Sequence, residues 1–276
     1  MVWDSRIVVS TLAAALAVPS LDAECMIICG ERFVLSRAGH FGLVVQPLEP
    51  VATKGGLDHL EHGLLSSGER ELFYTLVDKY GFVLCRGIRA DHETYRFVRG
   101  RSSPGKLSPG EYFHHDGCSG PTKPRIVEIR FPAQATGRHI STAIAHFPEV
   151  VLSMAECFPG GAAAIFGESL PDPNDPAISY EEWEQFQAVV MRAARRNFSA
   201  AEARAYLRAV DEHVGAYVHR WQGGDSLFVA NENMGQTYQH RRAYPEAAFD
   251  GRPNGNLVKR WPVEDLAGIA MSCEID

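Results

Sequence analysis
The 276-residue chain lacks a Cys-x-x-Cys pair, a run of basic residues, a low-complexity tract and any repeat at a period of roughly 20–50 residues. The six cysteines (Cys25, Cys29, Cys85, Cys118, Cys157 and Cys273) are scattered, which argues against a disulfide scaffold and for reduced, partly buried thiols. That pattern fits the cytoplasm, the expected location. The second absence, with a net charge of −7 and a pI near 5.9, removes nucleic acid as an expected partner.

A long hydrophobic run is missing too. The most apolar stretch, Ile7–Val18 (IVVSTLAAALAV), is too short to span a bilayer, so no membrane partner is expected. Asp4 offsets Arg6 ahead of it, which leaves no positive leader of the secretory kind. The expectation is a buried N-terminal helix broken at Pro19, inside a helical extension over residues 1–24. What is present is ordinary globular composition, 45% apolar and 22% charged. The length suits one domain over residues 1–276 with a sizeable core.

Several short apolar runs predict strands: Cys25–Cys29, Gly42–Val45, Phe82–Cys85, Ile126–Phe131, Ala163–Phe166, Ser226–Ala230 and Leu257–Trp261. Helical patterns cover Ser67–Tyr80, Tyr180–Phe198 and Ala200–Asp211, the last with Ser199 as N-cap and Glu202 at the capping-box position. Leu170–Ile178 (LPDPNDPAI) reads as an exposed loop. The strands are turn-bounded and lack regular crossover helices between them. This predicts an α+β protein with a mostly antiparallel β core flanked by helices.

Gly110–Gly120 reads GEYFHHDGCSG and contains His114-His115-Asp116. Residues two apart on an extended strand share a face, so His114 and Asp116 can converge while His115 points away. One imidazole and one carboxylate are two members of a facial triad. A second imidazole completes it and leaves open positions on an octahedral ion, which suits Fe(II) with O2 and a bidentate co-substrate. His-x-Asp alone is unspecific in a chain with 11 histidines. A rival cluster, Asp58-His59-Leu60-Glu61-His62, lies beside Leu57, Leu64 and Leu65 and reads as the solvated face of an amphipathic helix.

Context raises the first site. Phe113-His114-His115-Asp116, then Gly224-Asp225 with Asn231, then His240-Arg241-Arg242 follow in order. Upstream stands Tyr80-Gly81-Phe82-Val83-Leu84-Cys85-Arg86-Gly87, and Pro124–Arg130 follows the first ligands. Together these segments resemble the taurine dioxygenase and clavaminate synthase group of 2-oxoglutarate-dependent oxygenases, over most of the chain. The resemblance implies a double-stranded β-helix (jelly-roll) core and an Fe(II) site of His114, Asp116 and His240. It implies 2-oxoglutarate and O2 as co-substrates, with release of succinate and CO2, and hydroxylation of a small molecule as the default outcome. Desaturation and cyclisation belong to the same chemistry. An amino acid or related carboxylate is the implied substrate class.

The resemblance also implies that Thr142 and an arginine hold the far carboxylate of 2-oxoglutarate. Arg260, on a strand-like run, is the first choice and Arg252, before a Pro253-Asn254-Gly255 turn, is the reserve. Either would grip a carboxylate bidentately, which lysine does less well. Tyr112, Tyr238, Arg241 and Arg242 lie near the ligands in sequence and are candidates to meet an anionic substrate. The chain departs from the family in a longer connection over Glu232–Tyr238 and in keeping one arginine of the usual pair on the last strand. Two other readings stay open. In one, His115-Asp116-Gly117 spells the His-x-Gly of related halogenases. In the other, the fold binds a ligand without turnover.

Overall fold
The computed structural model describes residues 7–9, 24–28, 31–39, 41–47, 76–86, 107, 109–116, 124–130, 141–167, 178–222, 225–231, 237–243 and 257–262. Its strands are β1 (Ile7–Val9), β2 (Glu24–Ile28), β3 (Glu31–Arg37), β4 (Leu43–Pro47), β5 (Phe82–Cys85), β6 (Pro124–Arg130), β7 (Ser141–His146), β8 (Tyr217–Arg220), β9 (Ser226–Ala230), β10 (Tyr238–Ala243) and β11 (Leu257–Pro262). The helices are α1 (Phe147–Glu156), the short α2 (Ala163–Phe166), α3 (Tyr180–Asn197) and α4 (Ala200–His213). Residues 76–80 are also helical. No helix among the described residues is long and apolar enough to cross a membrane.

The strands form two sheets. The larger runs β1-β2-β3-β4-β5-β9-β6-β11 and the smaller β10-β7-β8. Only β1–β2 and β4–β5 pair in parallel; the other described pairings are antiparallel. This matches the expected mostly antiparallel core. Central strand β5 is buried along its whole length, so its residues FVLC form a continuous apolar run.

Register decides which residues look inward, because directly paired residues share a face. Phe82, Val229 and Val127 form one cross-strand row of the larger sheet. The ring of Phe82 stacks on Tyr217 of β8 with centroids 4.8 Å apart, so this row faces the smaller sheet. On that sheet His240 pairs with Ile144, which pairs with Tyr217; Arg242 pairs with Thr142, which pairs with His219. Ile144 accordingly sits in one apolar cluster with Leu84, Leu227 and Val229. The opposite face carries Ala143 and Ala145, which pack with Val150, Met154, Val190 and Leu207 of the helices. Each such Leu or Val taken out of water contributes about 1.5–3 kcal/mol. The smaller sheet is thus sandwiched between the larger sheet and the helices.

Helices α3 and α4 begin as their sequences specify. Ser179 and Ser199 each accept from the backbone N–H three residues on, while Glu182 and Glu202 reach back to the serine N–H groups. Both glutamates are held below the usual carboxylate range by those hydrogen bonds.

Two expectations are corrected. Ile7–Val9 is a strand paired in parallel with Glu24–Met26, not the start of a helix. Its three consecutive β-branched residues favour the extended chain. Ala163–Phe166 is one turn of helix, not a strand. It follows a turn at Gly160 and Gly161, both left-handed, and Ala164 N–H donates to the Gly161 carbonyl at 3.1 Å. Four apolar residues carry no periodicity with which to tell strand from helix. The Asp58–His62 cluster, the rest of the Ile7–Val18 run and Arg252 lie outside the described residues, as do residues 232–236 of the long connection.

Candidate metal centre
His114 and His240 meet as an isolated antiparallel bridge. Each donates its backbone N–H to the other's carbonyl, at 3.1 and 3.2 Å. Such a pair places both side chains on one face, and the ring centroids are 4.6 Å apart. Asp116 closes the third corner: one carboxylate oxygen lies 3.6 Å from His114 Nε2 and the other 3.7 Å from His240 Nε2. One ligand atom from each residue falls within 4.8 Å of the other two. The side chains of Asp116 and His240 are 12% and 6% exposed, and that of His114 is 28% exposed.

The ligand atoms are oriented from behind. His114 Nδ1 donates to the Tyr112 carbonyl at 2.8 Å, which leaves a lone pair on Nε2, the nitrogen facing Asp116. Asn231, fully buried at the end of β9, holds Asp116 from both sides. Its Oδ1 accepts from the Asp116 N–H at 2.9 Å and its Nδ2 donates to the Asp116 carbonyl at 3.1 Å. The motif Gly224-Asp225–Asn231 is thereby explained at both ends. Asp225 accepts from Gln222 N–H at 3.0 Å and pairs with His219 Nε2 at 2.9 Å, which anchors the start of the strand that delivers Asn231.

His115 points the other way, as alternation predicts. Its Nδ1 lies within hydrogen-bond distance of Tyr180 Oη, at 2.8 Å, and of Gln239 Nε2, at 3.1 Å, and its ring stands edge-on to Phe147. Gln239 and Gln187 exchange two amide hydrogen bonds, of 2.6 and 2.9 Å, and Gln187 also donates to the Phe113 carbonyl. A register with His115 as ligand would have to break this buried network.

The other candidates divide between the two faces. Thr142 lies on the inner face two residues from Ile144, the partner of His240, and its Oγ1 accepts from Trp221 Nε1 at 2.8 Å. That bond leaves the threonine hydroxyl hydrogen available to an acceptor. Tyr238 shares the inner face with His240, two residues away, and burial pushes its phenol up. Its ring lies against Gly81, where a Cβ would fall 2.3 Å from the nearest ring atom and φ is +78°. Glycine is therefore required there by space and by backbone. Arg242 is also on the inner face, with its guanidinium beside Gly110. Arg260 pairs with Val127, so it takes a register position in the row of Phe82 and Val229. Arg252 lies outside the described residues.

Two candidates look away from the triangle. The Tyr112 ring packs in the helix-side cluster under Arg195, 5.0 Å from the ring centroid, and it reaches the site through its carbonyl alone. Burial raises its phenol against the opposing pull of Arg195. Arg241 forms a buried ion pair with Asp211 of α4 through Nε at 2.7 Å and through a second, closer contact. Asn231, the Tyr112 carbonyl and Trp221 are supports that sequence reasoning did not assign. The motif that includes Asn231 was a signal for the first; nothing local marks the other two.

No family model matches the chain, and no curated protein does. Among solved structures, the chain is similar to AAD-2 in complex with Mn(II) and N-oxalylglycine, to a taurine dioxygenase from Burkholderia xenovorans, and to PvcB, an Fe, alpha-ketoglutarate dependent oxygenase from an isonitrile synthetic pathway. Identities are 13%, 11% and 16%, with TM-scores of 0.42, 0.41 and 0.41. They cover 83%, 82% and 82% of this chain and 97%, 89% and 88% of theirs.

Proposed function
We propose that the chain is an Fe(II)- and 2-oxoglutarate-dependent oxygenase with a double-stranded β-helix core. On this reading it oxidises an unactivated C–H bond of a small molecule, an amino acid or related carboxylate. Hydroxylation is the primary outcome, and desaturation or cyclisation belongs to the same chemistry. The observation that carries the reading is the convergence of His114, Asp116 and His240 on one point between the two sheets. Two imidazoles and one carboxylate, with His114 oriented by the Tyr112 carbonyl and the Asp116 backbone held by Asn231, fit a divalent iron and leave positions for a chelating oxo acid and O2. The small antiparallel sheet facing a larger one supports the β-helix assignment.

His114, Asp116 and His240 would hold the metal, which when bound supplies the oxidising power and the point of chelation for the 2-oxo acid. The chain's own residues do the rest. Tyr112 fixes the tautomer of His114, and Asn231 fixes the backbone that carries Asp116. Thr142 donates its hydroxyl to the far carboxylate of 2-oxoglutarate, and Arg260 supplies the opposing charge, with Arg252 as the alternative. Arg242 and Tyr238, on the inner face beside His240, meet the principal substrate. The apolar rows around Ile144 and Phe82 keep water from the reacting centre.

The test is turnover. The purified chain, supplied with Fe(II), ascorbate and 2-oxoglutarate, should release succinate in an O2-dependent way that at least one member of a panel of free amino acids and small carboxylates stimulates. EDTA should abolish it. Arg260→Ala should raise the half-saturating 2-oxoglutarate concentration by roughly ten- to a hundredfold, the loss of a charged hydrogen bond. Succinate release that persists after EDTA treatment contradicts the proposal.

A further inference from the structure
The peptide unit that leads into His114 is held at both edges. In a trans peptide the N–H and the carbonyl point opposite ways. The His114 N–H donates to the His240 carbonyl at 3.1 Å, and on the other edge the Phe113 carbonyl accepts from Gln187 Nε2 at 3.3 Å. Gln187 belongs to α3. The buried residues of that helix are Trp183, Gln187, Val190 and Ala194, so Gln187 is the polar exception in an apolar stripe. Burying a primary amide is costly unless its donors and its acceptor are matched. Here they are. Gln187 Nε2 donates to the Phe113 carbonyl and to Gln239 Oε1 at 2.6 Å, and Gln187 Oε1 accepts from Gln239 Nε2 at 2.9 Å. A carbonyl can only accept, so Phe113 fixes which way the Gln187 amide faces, and with it the Gln239 amide.

This pair of amides touches both histidines' neighbours. Gln239 precedes His240 in β10 and is 1% exposed. Its Nε2 lies 3.1 Å from His115 Nδ1, and Tyr180 Oη of α3 lies 2.8 Å from the same nitrogen. Tyr180 and Gln187 are two turns apart and share one face of the helix. That face therefore grips Phe113 and His115, on either side of His114, and through Gln239 the residue before His240. His114 and Asp116 lie in no regular strand. The His114–His240 bridge and Asn231 hold them on one side, and α3 holds them from behind.

We infer that Gln187 is a positioning residue of the metal centre, which sets His114 relative to His240 without touching the metal. The inference rests on the reading of His114, Asp116 and His240 as metal ligands. A residue that only packed would change folding stability and leave a folded protein's metal affinity alone, so the test reads the two apart. Gln187→Met keeps the side-chain length and removes every hydrogen bond of the amide. Anaerobic calorimetry with Fe(II) on metal-free, full-length protein gives the affinity. The visible ligand-field spectrum of the Co(II)-loaded protein reports the geometry of the ligands. Urea unfolding of the metal-free protein gives the stability, and binding is measured where circular dichroism shows each variant folded. Trp183→Phe is the control, in the same stripe but in the separate cluster of Phe147 and Val151.

Gln187→Met should weaken Fe(II) roughly tenfold or more and shift the Co(II) bands. Trp183→Phe should lower the urea midpoint while keeping wild-type affinity and spectrum. Gln239→Met cuts the same link from its other end, so it should weaken the metal too, and the double variant should lose less than the two losses combined. Wild-type affinity and spectrum in Gln187→Met overturn the inference. So do independent losses in the double variant, or an equal loss in Trp183→Phe. Should Gln187→Met fail to fold, Gln239→Met decides in the same way, and wild-type affinity there overturns the inference. A wild type that binds neither metal overturns the metal-centre reading itself, and this inference with it.

Discussion
The backbones of His114 and His240 hydrogen-bond to each other in both directions, at 3.1 and 3.2 Å, and this one bridge brings the two halves of the candidate metal centre together. Nothing between Tyr112 and Asp116 is a regular strand, so the bridge fixes the position of His114 and Asn231 fixes that of Asp116.

Asn231 should therefore matter to metal affinity without being a ligand. Asn231→Ala leaves the Asp116 N–H and carbonyl without their present partners, a cost of about 1–3 kcal/mol. It should also weaken Fe(II) by roughly ten- to a hundredfold, the usual consequence of losing an outer-sphere support. Asn231→Asp keeps the acceptor but loses the donor to the Asp116 carbonyl and should fall between. Anaerobic calorimetry with Fe(II), paired with thermal melts, reads both effects. An Asn231→Ala protein with wild-type metal affinity would remove the positioning role.

Arg241 should behave as a structural residue despite its place next to His240. Its guanidinium is buried against Asp211, whose carboxyl is pushed up by burial in spite of the opposing pull of Arg241. Arg241→Met strands that carboxyl and should cost about 3–5 kcal/mol in urea unfolding. Adding Asp211→Leu should recover much of the loss, because the unmatched group is then gone. A single variant that unfolds like the wild type would return Arg241 to the list of substrate contacts.

His146 predicts a pH effect of definite sign. Burial lowers its pKa in the folded protein, and Glu149 opposes this only in part. As pH falls through about 6.5, the unfolded chain takes up the proton first, so this residue lowers stability on the acid side and leaves it unchanged above. Metal-free wild type should lose melting temperature between about pH 6.5 and 5 more steeply than His146→Gln. Parallel curves for the two proteins would contradict the burial argument.

The legible parts of the fold were those whose sequence carries its own period or cap. β5 and β9 are short continuous apolar runs buried on both faces, α3 shows a long helical pattern, and α4 announces itself by its capping box. β10, YQHRRA, gave no strand signal because both of its faces are polar. His240 and Arg242 look inward, while Gln239 and Arg241 are matched on the other face by Gln187 and Asp211 of the helices. Hydrophobic alternation cannot report a strand whose burial is supplied by tertiary partners. The same logic holds at the site. His-x-Asp and the distal histidine are side-chain patterns and could be read. The Tyr112 carbonyl, the Trp221–Thr142 bond and the two-way grip of Asn231 depend on register between distant segments.

The central claim is that His114, Asp116 and His240 together hold an iron that a 2-oxo acid chelates. The most direct measurement is anaerobic titration of metal-free protein with Fe(II) and then 2-oxoglutarate, following visible charge-transfer absorption. The wild type should develop a saturable band, one equivalent of iron per chain, and His240→Ala should develop none while keeping its fold by circular dichroism. A band of equal intensity in His240→Ala, or no band in the wild type at saturating iron and oxo acid, would contradict the account.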